Sequence, residues 1–111
     1  MIYFRVITSN EDASPLIGKV ENLIACFFGR NFKSASKPYW KCEDFVEIEF
    51  EIRPMLAQPF CKYQDFFEKS LDEKPDGVSQ EYGWTEIEYY GKITLGEKYF
   101  ATLSIEDKHI M

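Results

Sequence analysis

The run EDFVEIEFEI, residues 43–52, sets an apolar side chain at every even position and a glutamate at most of the odd ones. A period of two admits few folds. Successive side chains of a strand leave opposite faces, so Val46, Ile48, Phe50 and Ile52 belong to a core, while Glu43, Glu47, Glu49 and Glu51 share the other face with Phe45. A second run, YGWTEIEYY (82–90), repeats the pattern, with Tyr82, Trp84, Glu86, Glu88 and Tyr90 on one side and Thr85, Ile87 and Tyr89 on the other. Both runs ask for a sheet that is covered on one face and acidic on the other.

The rest of the chain supplies the cover. IYFRVIT (2–8) reads as a first strand, central and buried on both faces. SNEDASP is a connector, and Ser14 before Pro15 predicts a helix start. Leu16, Ile17, Val20, Leu23, Ile24, Phe27 and Phe28 then fall on one helical face until Gly29 stops it. RNFKSASKP (30–38), small and basic, reads as an exposed loop into a long strand over 39–53, with a bend near Cys42–Asp44 that could split it into a hairpin. Pro59 opens a second helix to Leu71, with Phe60, Tyr63, Phe67 and Leu71 on its inner face and Phe66 beside them. DEKPDGVSQ is a loop, and two strands, 82–94 and 98–106, close the chain through a turn at Leu95, Gly96 and Glu97. In the last strand Tyr99, Ala101, Leu103 and Ile105 form the apolar set. These elements predict an α+β fold in one domain, 1–111: two helices packed on one face of a mostly antiparallel four- to five-stranded sheet, in the order β-α-β-α-β-β.

Composition decides what such a chain can meet. Ten Phe, seven Tyr and two Trp in 111 residues provide a core without disulfide or metal. A net charge of −6 disfavours a nucleic-acid backbone or an anionic membrane as target and favours a cationic partner. No apolar run approaches the ~20 residues of a membrane-spanning helix. Cys26, Cys42 and Cys61 show no pairing motif and no secretory leader precedes them, which predicts a reducing cytoplasm and mostly buried, free thiols. Cys26 and Cys61 are expected to pack within the helices, whereas Cys42, beside Lys41, is the one to test with a thiol reagent.

No catalytic motif, metal-ligand spacing or cofactor signature accompanies these elements. His109, third from the end, reads as part of a fraying tail, and the basic stretch Arg30–Lys41, with Tyr39 and Trp40, as a solvated loop. The candidate contact residues are therefore Glu43, Phe45, Glu47, Glu49, Glu51, Trp84, Glu86, Glu88 and Tyr90. Glutamates would steer the encounter with a basic protein and the aromatics would anchor it. The same residues could equally form an ordinary solvated sheet face, its repulsion offset by Arg5, Lys92 or Lys98.

A small, acidic, aromatic-rich α+β chain without a catalytic motif resembles the immunity proteins of bacterial polymorphic toxin and contact-dependent growth inhibition systems. The resemblance covers the whole chain in general character and assigns no residue. It implies a protein that binds and neutralises a cognate toxin domain, often a nuclease with a basic surface. Three alternatives remain open from the residues: a phage-type inhibitor mimicking nucleic-acid charge, a small enzyme or ligand-binding domain using clustered glutamates, and a subunit that dimerises through the edge of the 39–53 strand.

Overall fold

A computed structural model describes residues 1–41, 43–71, 76–92 and 98–111. The elements run β1 (Ile2–Ser9), α1 (Asn10–Phe28), β2 (Phe32–Pro38), β3 (Phe45–Ile52), α2 (Phe60–Leu71), β4 (Gly77–Glu81), β5 (Trp84–Lys92) and β6 (Lys98–Glu106), then a short 3-10 turn, Asp107–His109. The fold is α+β, with two helices and a six-stranded sheet ordered β2-β3-β1-β6-β5-β4, in which every neighbouring pair is antiparallel.

The sheet has six strands where four or five were expected, and the order is β-α-β-β-α-β-β-β in place of β-α-β-α-β-β. FKSASKP and GVSQE, expected as loop sequence, form β2 and β4 at the two edges. Neither has strong strand propensity; each is drawn out by a better strand beside it, β2 by β3 and β4 by β5. The expected 39–53 strand is consequently shorter: only Phe45–Ile52 is strand, and it forms a hairpin with β2. Tyr39 N–H donates to the Phe45 carbonyl at 3.0 Å, and the chain reverses between them. β3 lies inside the sheet, so the proposed dimerisation through its edge has no edge to use; the exposed edges are β2, with Lys33, Lys37 and Pro38, and the short β4. Tyr82 and Gly83 both adopt positive φ (50° and 83°), which makes the two-residue turn that antiparallel strands favour and joins β4 to β5. The expected turn at Leu95, Gly96 and Glu97 lies outside the described residues.

Helix α1 starts at Asn10, not at Ser14, and Pro15 sits within it. The Ser-Pro signal is overridden by a tertiary contact: Asn10 N–H donates to the Asp44 carbonyl at 2.9 Å, tying the first turn to the entry of β3. At the other end Gly29, at φ 81°, donates to the Ala25 carbonyl and ends the helix as expected. Gly18 faces open space, so it serves no close packing.

The core forms between one sheet face and both helices. Ile2, Phe4 and Val6 of β1 pair in register with Ile52, Phe50 and Ile48 of β3 and with Ile105, Leu103 and Ala101 of β6; Ile87 and Tyr89 of β5 continue the layer. Leu16, Val20 and Ile24 of α1 and Tyr63 and Phe67 of α2 close it. The helices meet through aromatic rings, with Phe27 stacked on Phe66 at 4.4 Å and Phe28 on Tyr63 at 5.9 Å, and Phe67 reaches Phe4 at 5.0 Å. Each large side chain removed from such a core costs about 3–5 kcal/mol. Cys26 and Cys61, expected to be buried, are both exposed on the outer helix faces. Cys42 lies outside the described residues.

The C-terminal segment is docked and not frayed. Tyr63 Oη donates to the His109 carbonyl at 2.8 Å, Gln58 N–H to the same carbonyl at 3.0 Å, and Met111 N–H to the Gln58 carbonyl at 2.9 Å. Thr85 Oγ1 donates to Asp107 Oδ1 at 2.9 Å, and Asp107 N–H to the Gly83 carbonyl. These backbone partners, invisible in a one-dimensional reading, hold the tail against α2 and the β4–β5 turn.

Candidate functional site

With both helices on one side, the second sheet face is open, and strand parity decides what it shows. β1 contributes Tyr3, Arg5 and Ile7; β3 contributes Phe45, Glu47, Glu49 and Glu51; β2 contributes Lys33, Ala35 and Lys37. From the other half come Thr102 and Ser104 of β6, Trp84, Glu86 and Glu88 of β5, and Ser79 and Glu81 of β4. The alternation read in both acidic runs therefore holds.

Across β2, β3 and β1 the glutamates meet cations. Lys33 lies opposite Glu51, Lys37 opposite Glu47, and Arg5 opposite Glu49. Glu47 is drawn furthest in: its side chain is 7% exposed, its Oε1 3.1 Å from Arg5 Nη1 and its Oε2 3.2 Å from Lys37 Nζ. A carboxylate removed from water in this way is held by its two cations, which corrects its expected exposed position on the face. Glu43 is exposed as expected but is not on the strand face. It stands in the exposed turn before β3, where its carbonyl accepts from Asn10 Nδ2 at 3.3 Å, because the chain is still reversing there. Phe45 is the first residue of β3, paired with Ser9 at the end of the face and 36% exposed.

Across β6 and β5 the surroundings differ. Glu86 lies opposite Ser104 and Ser79, and Glu88 opposite Thr102 and Gly77. Neither has an ion-pair partner among the described residues, nor has Glu49, which is exposed on β3. Tyr90 pairs with Phe100 in the ladder; its side chain, like those of Lys92 and Lys98, lies outside the description. Trp84 is half-buried, its ring 5.8 Å from that of Tyr3, so the two form a tilted aromatic pair at one end of the face.

Between these halves the middle of β6 carries the small side chains Thr102 and Ser104, with Phe100 and Glu106 beyond them on the same face, and the taller Tyr3 and Arg5 of β1 and Glu86 of β5 flank them. The result is a hollow of about 240 Å³ lined by Tyr3, Arg5, Glu49, Glu86, Thr102 and Ser104. Thr102 is 4% exposed, and its hydroxyl has no hydrogen-bond partner among the described residues. An unpaired buried hydroxyl costs about 1–3 kcal/mol. Chemically the hollow presents the Glu49 and Glu86 carboxylates and the Ser104 hydroxyl beside the Tyr3 ring and the Arg5 guanidinium, with the Thr102 hydroxyl buried at its base.

Tyr3, Thr102 and Ser104 were not among the expected contact residues. Their signal was present only as parity: IYFRVIT was read as buried on both faces, whereas its odd positions line the open one.

Elsewhere, Trp40 stands 82% exposed in the β2–β3 turn, with Lys41 Nζ 4.9 Å from its ring centre. Arg30, Asn31, Phe32, Lys33, Glu51 and Arg53 surround a smaller hollow at the β2–β3 edge. Among the described residues, three titrating groups depart from their ordinary values. Burial raises Tyr63. Burial, with the Met1 ammonium and Lys108, lowers His109; the ammonium, 2.6 Å from Glu106 Oε1, lowers Glu106. Tyr63 and His109 lie off the sheet, and Glu106, opposite Trp84, stands at the end of β6. No group of three or more His, Cys, Asp or Glu that could hold a metal ion occurs among the described residues, and no helix is long and apolar enough to cross a membrane.

Compared with known proteins, the chain has no significant match to a family model, a curated protein or a solved structure.

Proposed function

We propose that the protein is a stoichiometric inhibitor of the immunity type, which acts in the cytoplasm by laying its open sheet face against the basic surface of a cognate toxin domain. One observation carries this reading: Glu49, Glu86 and Glu88 stand on that face without an ion-pair partner among the described residues, while Glu47 on the same face is held by two cations. A face built only to be wet has no reason to neutralise one glutamate so thoroughly and leave its neighbours bare. No acid stands directly opposite these carboxylates in the ladder, so they present their charge to a cationic surface laid over the face. The net charge of −6 supports the same partner, since long-range attraction raises association rates by about 10- to 1,000-fold. Tyr3 and Trp84 supply the apolar contact that charge alone lacks.

The protein acts by covering and not by catalysis. Its test is retention of a protein from the source cell on the immobilised wild-type chain and on the E86K/E88K variant, followed by assay of whatever is retained. The expected result is a basic protein held by the wild type, released by salt, absent from the variant, and inhibited at equimolar ratio. Retention of the same proteins by both baits would remove the acidic face from the account.

A further inference from the structure

We propose that the hollow over β6 is a receptor for one arginine side chain of the partner protein. The inference rests on the reading of the open face and names the group that the face recognises. Charge comes first. Arg5 lines the hollow, but its Nη1 is engaged with Glu47, so the carboxylates left to a guest are those of Glu49 and Glu86. They rise from β3 and β5, on either side of the central strands β1 and β6. Three strand spacings, about 14 Å, separate the two backbones, so the side chains reach inward over the hollow from opposite sides.

Shape and hydrogen bonding then choose among cations. A guanidinium is flat and carries five N–H donors directed outward in its plane, so one group donates to acceptors on two sides at once; an ammonium is a compact charge that satisfies one side well. The hollow offers acceptors on two sides and hydroxyls between them, with the Tyr3 ring as a wall for stacking. Thr102 is the independent sign that something is meant to arrive. Its side chain is nine-tenths and more buried at the base of the hollow, and its hydroxyl is unpartnered among the described residues; a guanidinium N–H supplies the missing donor. About 240 Å³ accommodates a single side chain and not an element of a partner's fold.

The experiment titrates the isotope-labelled wild-type chain with Nα-acetylarginine amide, Nα-acetyllysine amide and Nα-acetylcitrulline amide, following backbone amides by two-dimensional NMR. The arginine derivative is expected to give saturable shifts centred on Tyr3, Arg5, Thr102 and Ser104. The lysine derivative should bind at least about threefold more weakly, and neutral citrulline should not bind. E49Q/E86Q should abolish the shifts. Thr102→Val, which removes only the hydroxyl, should weaken arginine about three- to tenfold with no fall in Tm. Thr8→Val, which deletes a buried, unpartnered hydroxyl on the opposite sheet face, should leave the arginine titration unchanged. Absence of saturable shifts at the hollow, or equal binding of arginine and lysine, overturns the proposal, and the wild-type titration alone decides this. The two readings fail separately. A flat titration beside a basic partner lost on E86K/E88K sinks the arginine receptor and spares the face; a saturable arginine response with no basic partner spares the receptor and sinks the inhibitor.

Discussion

The two halves of the open sheet face use the same sequence device to different ends. In β3 and in β5, glutamate alternates with core-facing residues, EIEFE in one and TEIEY in the other. On the β2-β3-β1 half the neighbouring strands bring Lys33, Lys37 and Arg5 opposite the acids, and Glu47 sinks between two of them. On the β6-β5-β4 half the neighbours bring Thr102, Ser104, Ser79 and Gly77, and Glu86 and Glu88 find no ion-pair partner among the described residues. The difference teaches that alternation within a strand assigns a face, whereas the strands beside it decide whether the charges on that face find ion-pair partners.

The contrast can be broken experimentally in decreasing order of effect. Charge reversal on the open half, E86K/E88K, should weaken the retained basic partner by at least about 100-fold, or 2.7 kcal/mol. The same change should alter folding stability by no more than about 0.5 kcal/mol, because neither glutamate has an ion pair to lose among the described residues. The paired half should behave in the opposite sense. Glu47→Ala strands Arg5 and Lys37 and should cost about 2 kcal/mol in urea denaturation; full burial of the pair would cost more, but Arg5 and Lys37 are 44% and 70% exposed and water compensates them in part. Equal losses for Glu47→Ala and Glu88→Ala would erase the distinction between the halves. Thr102→Val, between them, should raise stability by about 1 kcal/mol, since it removes an unpaired buried hydroxyl from a strand that favours valine.

The smallest effect concerns acid. Folding lowers His109 below its ordinary value near 6.5, so the unfolded chain binds its proton more readily than the folded one, and stability falls as pH drops below that value and through the folded one. Glu106 is also lowered. Its contribution is intact above its ordinary value of 4.5 and is lost as pH falls through the folded one, in the same direction. His109→Gln should flatten the first part of this acid arm and leave the second, as read from urea midpoints across the range.

How much of this was legible in the sequence follows from which forces are local. The core parity of Val46, Ile48, Phe50 and Ile52 was legible because one buried face imposes a strict period. The helix stop at Gly29 and the apolar face through Leu16, Val20 and Ile24 were legible for the same kind of reason. The burial of Glu47 was not, since its cations stand on two other strands, one of them in a stretch, FKSASKP, that reads as loop. The start of α1 was missed because Ser14-Pro15 is a local signal and the Asn10–Asp44 bond is not. Likewise Thr102 and Ser104 looked like the plain outer side of a last strand. They become the base of a hollow only because β6 lies between β1 and β5, a matter of strand order that no short-range pattern encodes.

The central claim, that the uncompensated carboxylates of β5 exist to be covered by a basic protein, is met most directly by the affinity of that protein for wild type and for E86Q/E88Q, measured by calorimetry at low and high salt. Neutralising the two charges without adding bulk should weaken binding by at least about tenfold at low salt, narrow the difference at high salt, and leave Tm unchanged. Equal affinity and equal salt dependence for the two proteins would contradict it.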